Sequence, residues 1–302
     1  MLSRRNKLFL LKLASLFSTI RGYNILVIVV AQYLASIYIF APEKPVHSVL
    51  FDPQLFWIVL ASALCIASGY IINNFYDAEK DLINRPHKTL LDSYVSQKTK
   101  LAVYFILNFL AVILASAVSF RAVLFFSAYI FILWLYSHKL KKIPLLGNIT
   151  AALMAIAPFF AVFIYYKNFY LVIFVHATFL FLILFMRELV KDLENLQGDF
   201  AQNYRTIPVV YGAKPTKIII TASFLLTLVP TFILLSDKLD VGYMYYYFIL
   251  SFLLLMVFLF FLWKSHSKLH YRLLHNLLKF IIVFGVLSIL LIDIDLLLNK
   301  IF

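Results

Sequence analysis

Residues 55–81 read "LFWIVLASALCIASGYIINNFYDAEKD", an uncharged apolar run that is followed at once by acid. The run from Leu55 to Ile72 approaches the roughly 20 residues that an α-helix needs to cross the hydrocarbon core of a bilayer. The carboxylates Asp77, Glu79 and Asp81 come directly after it. The stretch therefore predicts a membrane-spanning helix that carries acid at one end.

The composition of the whole chain is that of a membrane protein. Of its 302 residues, 64% are hydrophobic and only 14% are charged, so the chain holds more apolar surface than a soluble domain can bury. Apolar windows of about 20 residues can be placed nine times along it. The predicted spans are 23–40, 55–73, 101–118, 121–136, 149–166, 168–187, 216–235, 243–263 and 274–298. We predict an all-α, polytopic membrane protein whose nine transmembrane helices form one bundle, a single domain over residues 1–302.

Positive charge falls mainly on one side of these spans. With the N-terminus inside, most of the 27 Lys and Arg lie in cytoplasmic segments, as the positive-inside rule requires. Those segments are 1–21, 74–100, 137–148, 187–217 and 264–273. The pattern predicts a cytoplasmic N-terminus, cytoplasmic acidic stretches and an external C-terminus. Topology and attraction to anionic membrane lipids then account for most of the net charge of +13, and the sequence contains no nucleic-acid-binding motif.

The N-terminal segment, residues 1–22, has a basic start and an apolar stretch, as a secretory signal peptide does. However, Lys12 interrupts the apolar stretch, and no cleavage site of small residues follows before the first span. An interfacial helix that leads into the first span fits this segment better.

Acidic residues gather in two of the inner connections. They are Asp77, Glu79, Asp81 and Asp92 after the second span, and Glu188, Asp192, Glu194 and Asp199 after the sixth. If both segments are helical, spacings of three and four residues align oxygen-bearing side chains along one face of each helix. The two predicted stripes are Asn73, Asp77 and Asp81 on one helix, and Asp192, Asn195 and Asp199 on the other.

Two such stripes at the same membrane face favour a site for divalent cations. Carboxylate and amide oxygens are ligands for Mg²⁺, which substrate phosphates usually complete. The same connections supply cations that could hold a diphosphate directly. These cations are Arg85, Lys88, Lys191 and Arg205. We therefore predict a Mg²⁺-dependent enzyme that acts on a diphosphate ester.

Three other interpretations compete with this prediction. Either acidic stretch alone could be a solvated turn, but two stretches are more than orientation in the membrane requires, since Asp and Glu contribute little to topology. A transporter would use polar residues along a path through the membrane, whereas here the charge is concentrated at one face. An enzyme of alcohol phosphatidyl transfer would carry a D-G-x-x-A-R signature, which the sequence lacks.

Several segments resemble the motifs of the UbiA family of intramembrane prenyltransferases. The segment "NNFYDAEKDLINRPHKTL" is similar to the first aspartate motif of that family, and "RELVKDLENLQGDFAQNYRTIPVVYG" to the second. Weaker similarity lies in "TIRGYN" at 19–24 and "YSHKLKKIPLLGN" at 136–148. The resemblance covers residues 19 to about 212, and either motif alone is less specific than the pair.

The resemblance implies nine helices around a central cavity, with residues 74–100 and 187–216 as cytoplasmic loops that cap the catalytic site. It implies transfer of a polyprenyl group from a prenyl diphosphate to a lipophilic acceptor, with Mg²⁺ as cofactor. The residues that it implies for metal binding and catalysis are Asn73, Asp77, Asp81, Asp192, Asn195 and Asp199, with the catalytic role on the four aspartates. Many relatives have Asp where this chain has Asn74 and Asn195. No protein partner can be inferred.

The acceptor stays open at this point. The form of the second motif is most similar to the branch that transfers a geranylgeranyl chain to geranylgeranylglyceryl phosphate. Aromatic quinone precursors, of the 4-hydroxybenzoate or dihydroxynaphthoate type, are the alternative. Candidate substrate-binding residues near the inner face are Arg21, Asn24, Tyr136 and Lys139.

Overall fold

The protein is a bundle of α-helices. The computed structural model describes residues 4–236 and 241–293, and within these ranges it contains no β-strand. In chain order the helices are α1 (Arg4–Ile20), α2 (Gly22–Ala35), α3 (Val46–Leu50), α4 (Pro53–Tyr76), α5 (Ala78–Asn84), α6 (Pro86–Asp92), α7 (Gln97–Ser116), α8 (Phe120–His138), α9 (Leu146–Tyr166), α10 (Leu171–Ala201), α11 (Ile207–Tyr211), α12 (Ala213–Leu235), α13 (Tyr245–Lys264) and α14 (Lys268–Ser288). A π-helical turn at Ser36–Phe40 extends α2, and a 3₁₀ turn at Leu140–Lys142 follows α8.

Nine helices of the described ranges are long and apolar enough to cross a membrane, which confirms the predicted fold class. These spans are Gly22–Phe40, Pro53–Tyr76, Gln97–Ser116, Phe120–Lys142, Leu146–Tyr166, Leu171–Ala201, Ala213–Leu235, Gly242–Lys264 and Lys268–Leu291. The protein is therefore a multi-pass integral membrane protein. The end of the last predicted span and the C-terminus, which we expected outside the cell, lie beyond the described residues.

Small side chains allow the spans to approach closely. Ala61 and Cys65 on α4, and Ala111 and Ala115 on α7, are fully buried, and these two helices pack along each other. Inside a bilayer, close backbone approach of this kind drives helix association, because the lipid tails are as apolar as the side chains. Larger side chains fill the other half of the bundle, where α10 packs against α12 and α14.

Helix α10 is longer than its predicted span. The apolar pattern places the end of the sixth span at 187, but α10 continues to Ala201 and contains 31 residues. At 1.5 Å per residue, α10 extends about 46 Å, well beyond the ~30 Å hydrocarbon core. Asn203 then adopts a left-handed conformation (φ 54°) that turns the chain. The second acidic stripe thus lies on a continuous helix rather than on a loop.

The first acidic stripe lies across a bend between two helices. Helix α4 ends at Tyr76, α5 begins at Ala78, and Asp77 stands between them with φ −95° and ψ 6°. The Asp77 amide still donates to the carbonyl of Asn73 (2.9 Å), and the Asp81 amide to that of Asp77 (2.8 Å). The helical pattern of backbone hydrogen bonds between residues four apart therefore continues through the bend.

Candidate active site

Asn84 fastens α5 to α10. Its side-chain amide donates to the Asn195 carbonyl (3.3 Å) and accepts from the Gly198 amide (3.2 Å). Lys268, at the start of α14, donates to the Asn84 carbonyl (2.9 Å). These bonds place the stripe of α5 beside that of α10, two segments more than a hundred residues apart in the chain.

Replacing Gly198 by alanine is expected to separate these helices, because the added methyl group would collide with the Asn84 side chain. Overpacking of this kind costs about 1–3 kcal/mol. We expect a lower midpoint of thermal unfolding in detergent and a loss of the prenyl-transfer activity that the sequence motifs imply. Gln197→Ala, at an exposed position of the same helix, is the matched control. Unchanged stability and activity in the Gly198 variant would show that the close contact has no consequence.

Two carboxylates from the two stripes meet at one ammonium group. The Lys80 Nζ lies 3.4 Å from Asp77 Oδ1 and 3.2 Å from Asp199 Oδ1. Asp77 Oδ1 also pairs with Lys141 Nζ (2.8 Å) and accepts a hydrogen bond from the Tyr204 hydroxyl (2.9 Å). We call this group of five residues the acidic site. It joins α5, the end of α10 and the turn after α8.

Burial and charge act in opposite directions on Asp77, which is 5% exposed. Burial alone raises the pKa of its carboxyl group, but Lys80 and Lys141, with the hydrogen bonds from Lys141 and Tyr204, outweigh it and hold the pKa well below its usual range. Asp77 is therefore ionised at neutral pH. Burial and the neighbouring Asp77 charge raise the pKa of Tyr204, so its phenol remains a neutral donor.

The other predicted metal ligands surround the acidic site. Asp192 Oδ2 accepts from the side-chain amide of Asn148 (2.7 Å), and Asn73 Oδ1 accepts from Lys141 (3.2 Å). Asn195 is buried, and its Oδ1 has no hydrogen-bond partner within the described ranges. Asp81 is half-buried on α5. A buried amide oxygen without a partner is costly, and a cation is one group that could satisfy it.

The donor chemistry of the acidic site fits Mg²⁺. Its oxygens, from Asp77 and Asp199 with Asn195 close by on α10, are of the kind that Mg²⁺ prefers. In the part of the chain that the structure describes, however, no three Asp, Glu, His or Cys side chains are close enough together to hold a metal ion. The ammonium groups of Lys80 and Lys141 lie against the same oxygens. For a metal ion to bind, these lysines would therefore have to give up their contacts with the carboxylates.

Within the described ranges, none of the four predicted diphosphate-binding cations forms an ion pair with Asp77 or Asp199. Lys88 pairs with Asp92 (3.4 Å), and Lys191 pairs with Glu188 (2.6 Å). The other two are Arg85, which is half-buried, and Arg205, which is exposed. The ion pairs with these two carboxylates are made by Lys80 and Lys141 instead.

Asn74 faces away from the acidic site, into a buried polar network. Its side chain donates to Asp92 Oδ2 (3.1 Å) and accepts from Lys100 Nζ (2.8 Å). Lys100 is only 2% exposed, and the Ser15 hydroxyl donates to the Asp92 carbonyl (3.2 Å). The amide at position 74 thus connects α4, α6 and α7, instead of supplying charge to the metal site.

An open cavity lies beside the acidic site, between α2, α4, α8, α9 and α10, with about 840 Å³ of free space that includes its mouth. We call it the polar cavity. Its polar lining includes Arg21, Asn73, Tyr136, Arg187, Glu188 and Lys191. The Arg21 guanidinium lies over the Tyr70 ring at 5.0 Å, and Asn24 donates to the Tyr70 hydroxyl (3.3 Å). Lys139 is exposed and does not line this cavity.

A second open cavity, with about 850 Å³ of free space that includes its mouth, lies between α2, α9, α10, α13 and α14. Its walls are mostly aromatic and aliphatic, including Phe159, Phe179, Leu180 and Phe248, and His176 lies among them. The polar cavity adjoins the acidic site, whereas the apolar cavity is lined by residues nearer the opposite ends of the same helices. The two cavities lie along the bundle, and together they offer room for a long hydrophobic substrate.

Sequence reasoning missed four side chains that build the site, Lys80, Asn84, Asn148 and Tyr204, and it did not distinguish Lys141 from the basic residues beside it. Lys80 could have been predicted from the sequence, since it stands three residues after Asp77 and therefore on the same helical face. Asn84 could also have been predicted, because it begins the N-R-P sequence at 84–86 within the first motif segment. The others come from connections whose composition is ordinary for the inner face of a membrane protein.

Comparison with known proteins assigns the chain to a family. Residues 28–278 match the model of the UbiA prenyltransferase family. The digeranylgeranylglyceryl phosphate synthase of Pyrococcus furiosus is 33% identical over 190 residues, which cover 63% of this chain and 67% of the relative. The enzyme of the same name from Pyrococcus horikoshii is 28% identical over 225 residues, 74% of this chain and 78% of the relative.

Solved structures have the same fold. One, from work on digeranylgeranylglyceryl phosphate synthase in membranes, matches with a TM-score of 0.70 and 20% identity, over 92% of this chain and 97% of the other. A UbiA homologue from Archaeoglobus fulgidus bound to GPP and Mg²⁺ matches with a TM-score of 0.65 and 15% identity, over 91% and 99%. The family match, which spans most of the chain, agrees with the helix count, and this protein belongs to the UbiA prenyltransferase family.

Proposed function

We propose that this prenyltransferase moves a polyprenyl group from a prenyl diphosphate to geranylgeranylglyceryl phosphate, with Mg²⁺ as its cofactor. The observation that carries the proposal is the meeting of Asp77 and Asp199 at Lys80, beside the polar cavity. The names of the Pyrococcus relatives support the choice of acceptor.

The side chains of the acidic site have complementary tasks in this proposal. Asp77, Asp192 and Asp199 would hold Mg²⁺, with the amide oxygens of Asn73 and Asn195 beside them. When bound, Mg²⁺ would neutralise the negative charge that develops on the departing diphosphate. Lys80 and Lys141, released from their carboxylates, would add direct contacts to phosphate oxygens.

The apolar walls protect the reaction from water. Loss of diphosphate from an allylic carbon leaves a cation that water would quench. Apolar residues of the polar cavity, such as Leu133 and Met154, would keep water from the reacting carbon, and those of the apolar cavity, such as Leu180, would surround the far part of the isoprenoid chain. The hydroxyl oxygen of the lipid acceptor, rather than water, can then form the new bond to the prenyl carbon. Its proton leaves to the departed diphosphate or to solvent.

The acidic site is proposed to face the cytoplasm, together with the N-terminus. Lys80 and Lys141 lie at the acidic site, and Arg21, Arg187 and Lys191 line the adjoining cavity. This accumulation of positive charge at one end of the bundle supports the orientation expected from the positive-inside rule.

Incubation with labelled donor tests the proposal. The full-length protein, reconstituted in liposomes, is given radiolabelled geranylgeranyl diphosphate and Mg²⁺ with one acceptor at a time. We expect the label to be transferred to geranylgeranylglyceryl phosphate, and this transfer to stop when EDTA removes the metal. Transfer to 4-hydroxybenzoate or dihydroxynaphthoate, with none to the lipid phosphate, would favour an aromatic acceptor instead.

A further inference from the structure

Three side chains form a hydrogen-bonded row between α10 and α14, outside the acidic site. Arg187 Nε lies 3.3 Å from His275 Nε2, and His275 Nδ1 lies 3.1 Å from Glu194 Oε2. Glu194 is 6% exposed, and its other oxygen accepts from Arg272 Nε at 3.2 Å. Arg187 and Glu194 lie within the second motif segment without being predicted metal ligands, and His275 lies outside both motifs.

The donor and acceptor capacity of each group determines which nitrogen of His275 carries the hydrogen. A guanidinium Nε–H can only donate, so His275 Nε2 must accept. His275 Nδ1 then carries the hydrogen and donates it to Glu194, which makes the imidazole neutral. The buried carboxylate is thereby satisfied by two donors, His275 and Arg272. His275, on another helix, therefore sets the orientation of the Arg187 guanidinium.

Arg187 is also part of the wall of the polar cavity. Glu188, its neighbour in that wall, forms an ion pair with Lys191 at 2.6 Å and a longer one with Arg187 at 3.8 Å. Arg21 lines the same cavity and lies over Tyr70. Within the described ranges, neither arginine makes a hydrogen bond to a carboxylate. Two planar guanidinium groups facing one cavity suit a phosphate monoester, which can accept paired hydrogen bonds from each.

We infer that Arg187, together with Arg21, binds the phosphate of the acceptor lipid, and that His275 and Glu194 are positioning residues for Arg187. This inference rests on the proposed function, because it concerns the acceptor named there. The acidic site has its own cations, Lys80 and Lys141, for the diphosphate of the donor. The donor diphosphate at the acidic site and the acceptor phosphate in the adjoining polar cavity would repel each other unless each had its own counter-charge.

The test compares Arg187→Gln with the wild type for both substrates. A charge-assisted hydrogen bond is worth enough that its loss should raise the KM for geranylgeranylglyceryl phosphate by roughly 10- to 100-fold. The KM for geranylgeranyl diphosphate should change by less than about threefold. The preference of the wild type for this acceptor over geranylgeranylglycerol, which lacks the phosphate, should also disappear. Lys214→Gln removes an exposed cation and controls for net charge.

The positioning role has a separate test. His275→Ala should raise the same acceptor KM by a smaller factor, because Arg187 remains but is no longer oriented. His275→Gln should restore it, since an amide can accept from Arg187 and donate to Glu194. His270→Ala, at an exposed position one turn earlier on α14, is the matched control. A His275→Gln variant as impaired as His275→Ala would overturn the positioning role.

The outcomes for the inference and for the proposed function are distinguishable. If the wild type labels the lipid phosphate but Arg187→Gln has an unchanged acceptor KM, the inference is wrong and the function stands. An equal rise in the donor KM would assign Arg187 to the diphosphate instead. If the wild type transfers nothing to the lipid phosphate, the proposed function itself fails. Should Arg187→Gln not fold, Arg187→Lys keeps the charge without the planar fork and should show an intermediate rise in the acceptor KM.

Discussion

Replacing Asp77 by asparagine is expected to lower turnover by roughly 100- to 1,000-fold, the usual cost of removing one group that stabilises charge in an active site. The substitution removes the charge that faces Lys80 and Lys141 and weakens the proposed metal site, while it keeps the volume of the side chain. The rate of label transfer at saturating substrates measures the effect.

The control for Asp77→Asn is Glu79→Gln, the same chemical change at an exposed position of α5. Glu79→Gln should retain the wild-type rate. Both variants should elute as single species in detergent, which separates loss of chemistry from loss of fold. Wild-type turnover in Asp77→Asn would remove Asp77 from the mechanism.

Asp199→Asn is expected to have an effect of similar size, from the other side of the acidic site. Asp199 is 1% exposed and faces Lys80 across the junction of α5 and α10. Its loss should lower turnover by roughly 100-fold. It should also raise the Mg²⁺ concentration needed for half-maximal activity, because one oxygen ligand of the proposed metal site loses its charge.

A Mg²⁺ titration of the wild type and of Asp199→Asn distinguishes metal binding from a purely structural role. A reduced rate with the same Mg²⁺ dependence would count against Asp199 as a ligand. Glu79→Gln again provides the comparison, since its Mg²⁺ titration should overlay that of the wild type.

Apolar length predicted the spans because it is a local property of the chain. The predicted span 55–73 and the observed α4 differ by a few residues at each end. The end of α10 was not predictable in this way. The charged residues after 187 stop the apolar run, yet they are mostly good helix formers, and Gly198 near the end is kept by its contact with Asn84. Helix length there depends on helix propensity and on packing against α5, which hydropathy does not report.

The acidic residues of the candidate site could be predicted, but their counter-charges could not. Carboxylates are unusual in inner connections, whereas lysines are the rule there, so Lys141 looked no different from Lys139 and Lys142. Only the folded turn separates them. At Gly147 a side chain would approach the Leu140 carbonyl oxygen to 3.0 Å, so the turn after α8 packs tightly against α9. That packing directs Lys141 to Asp77 and leaves its neighbours exposed.

The continuity of α10 has a consequence for how this protein can vary. One unbroken helix carries His176 and Leu180 in the wall of the apolar cavity, Arg187 in that of the polar cavity, and Asp199 at the acidic site. Deleting a single residue from its middle would rotate everything beyond by about 100° and turn the aspartates away from α5. The segment 171–199 should therefore accept exchanges of side chains far more readily than any change in its number of residues.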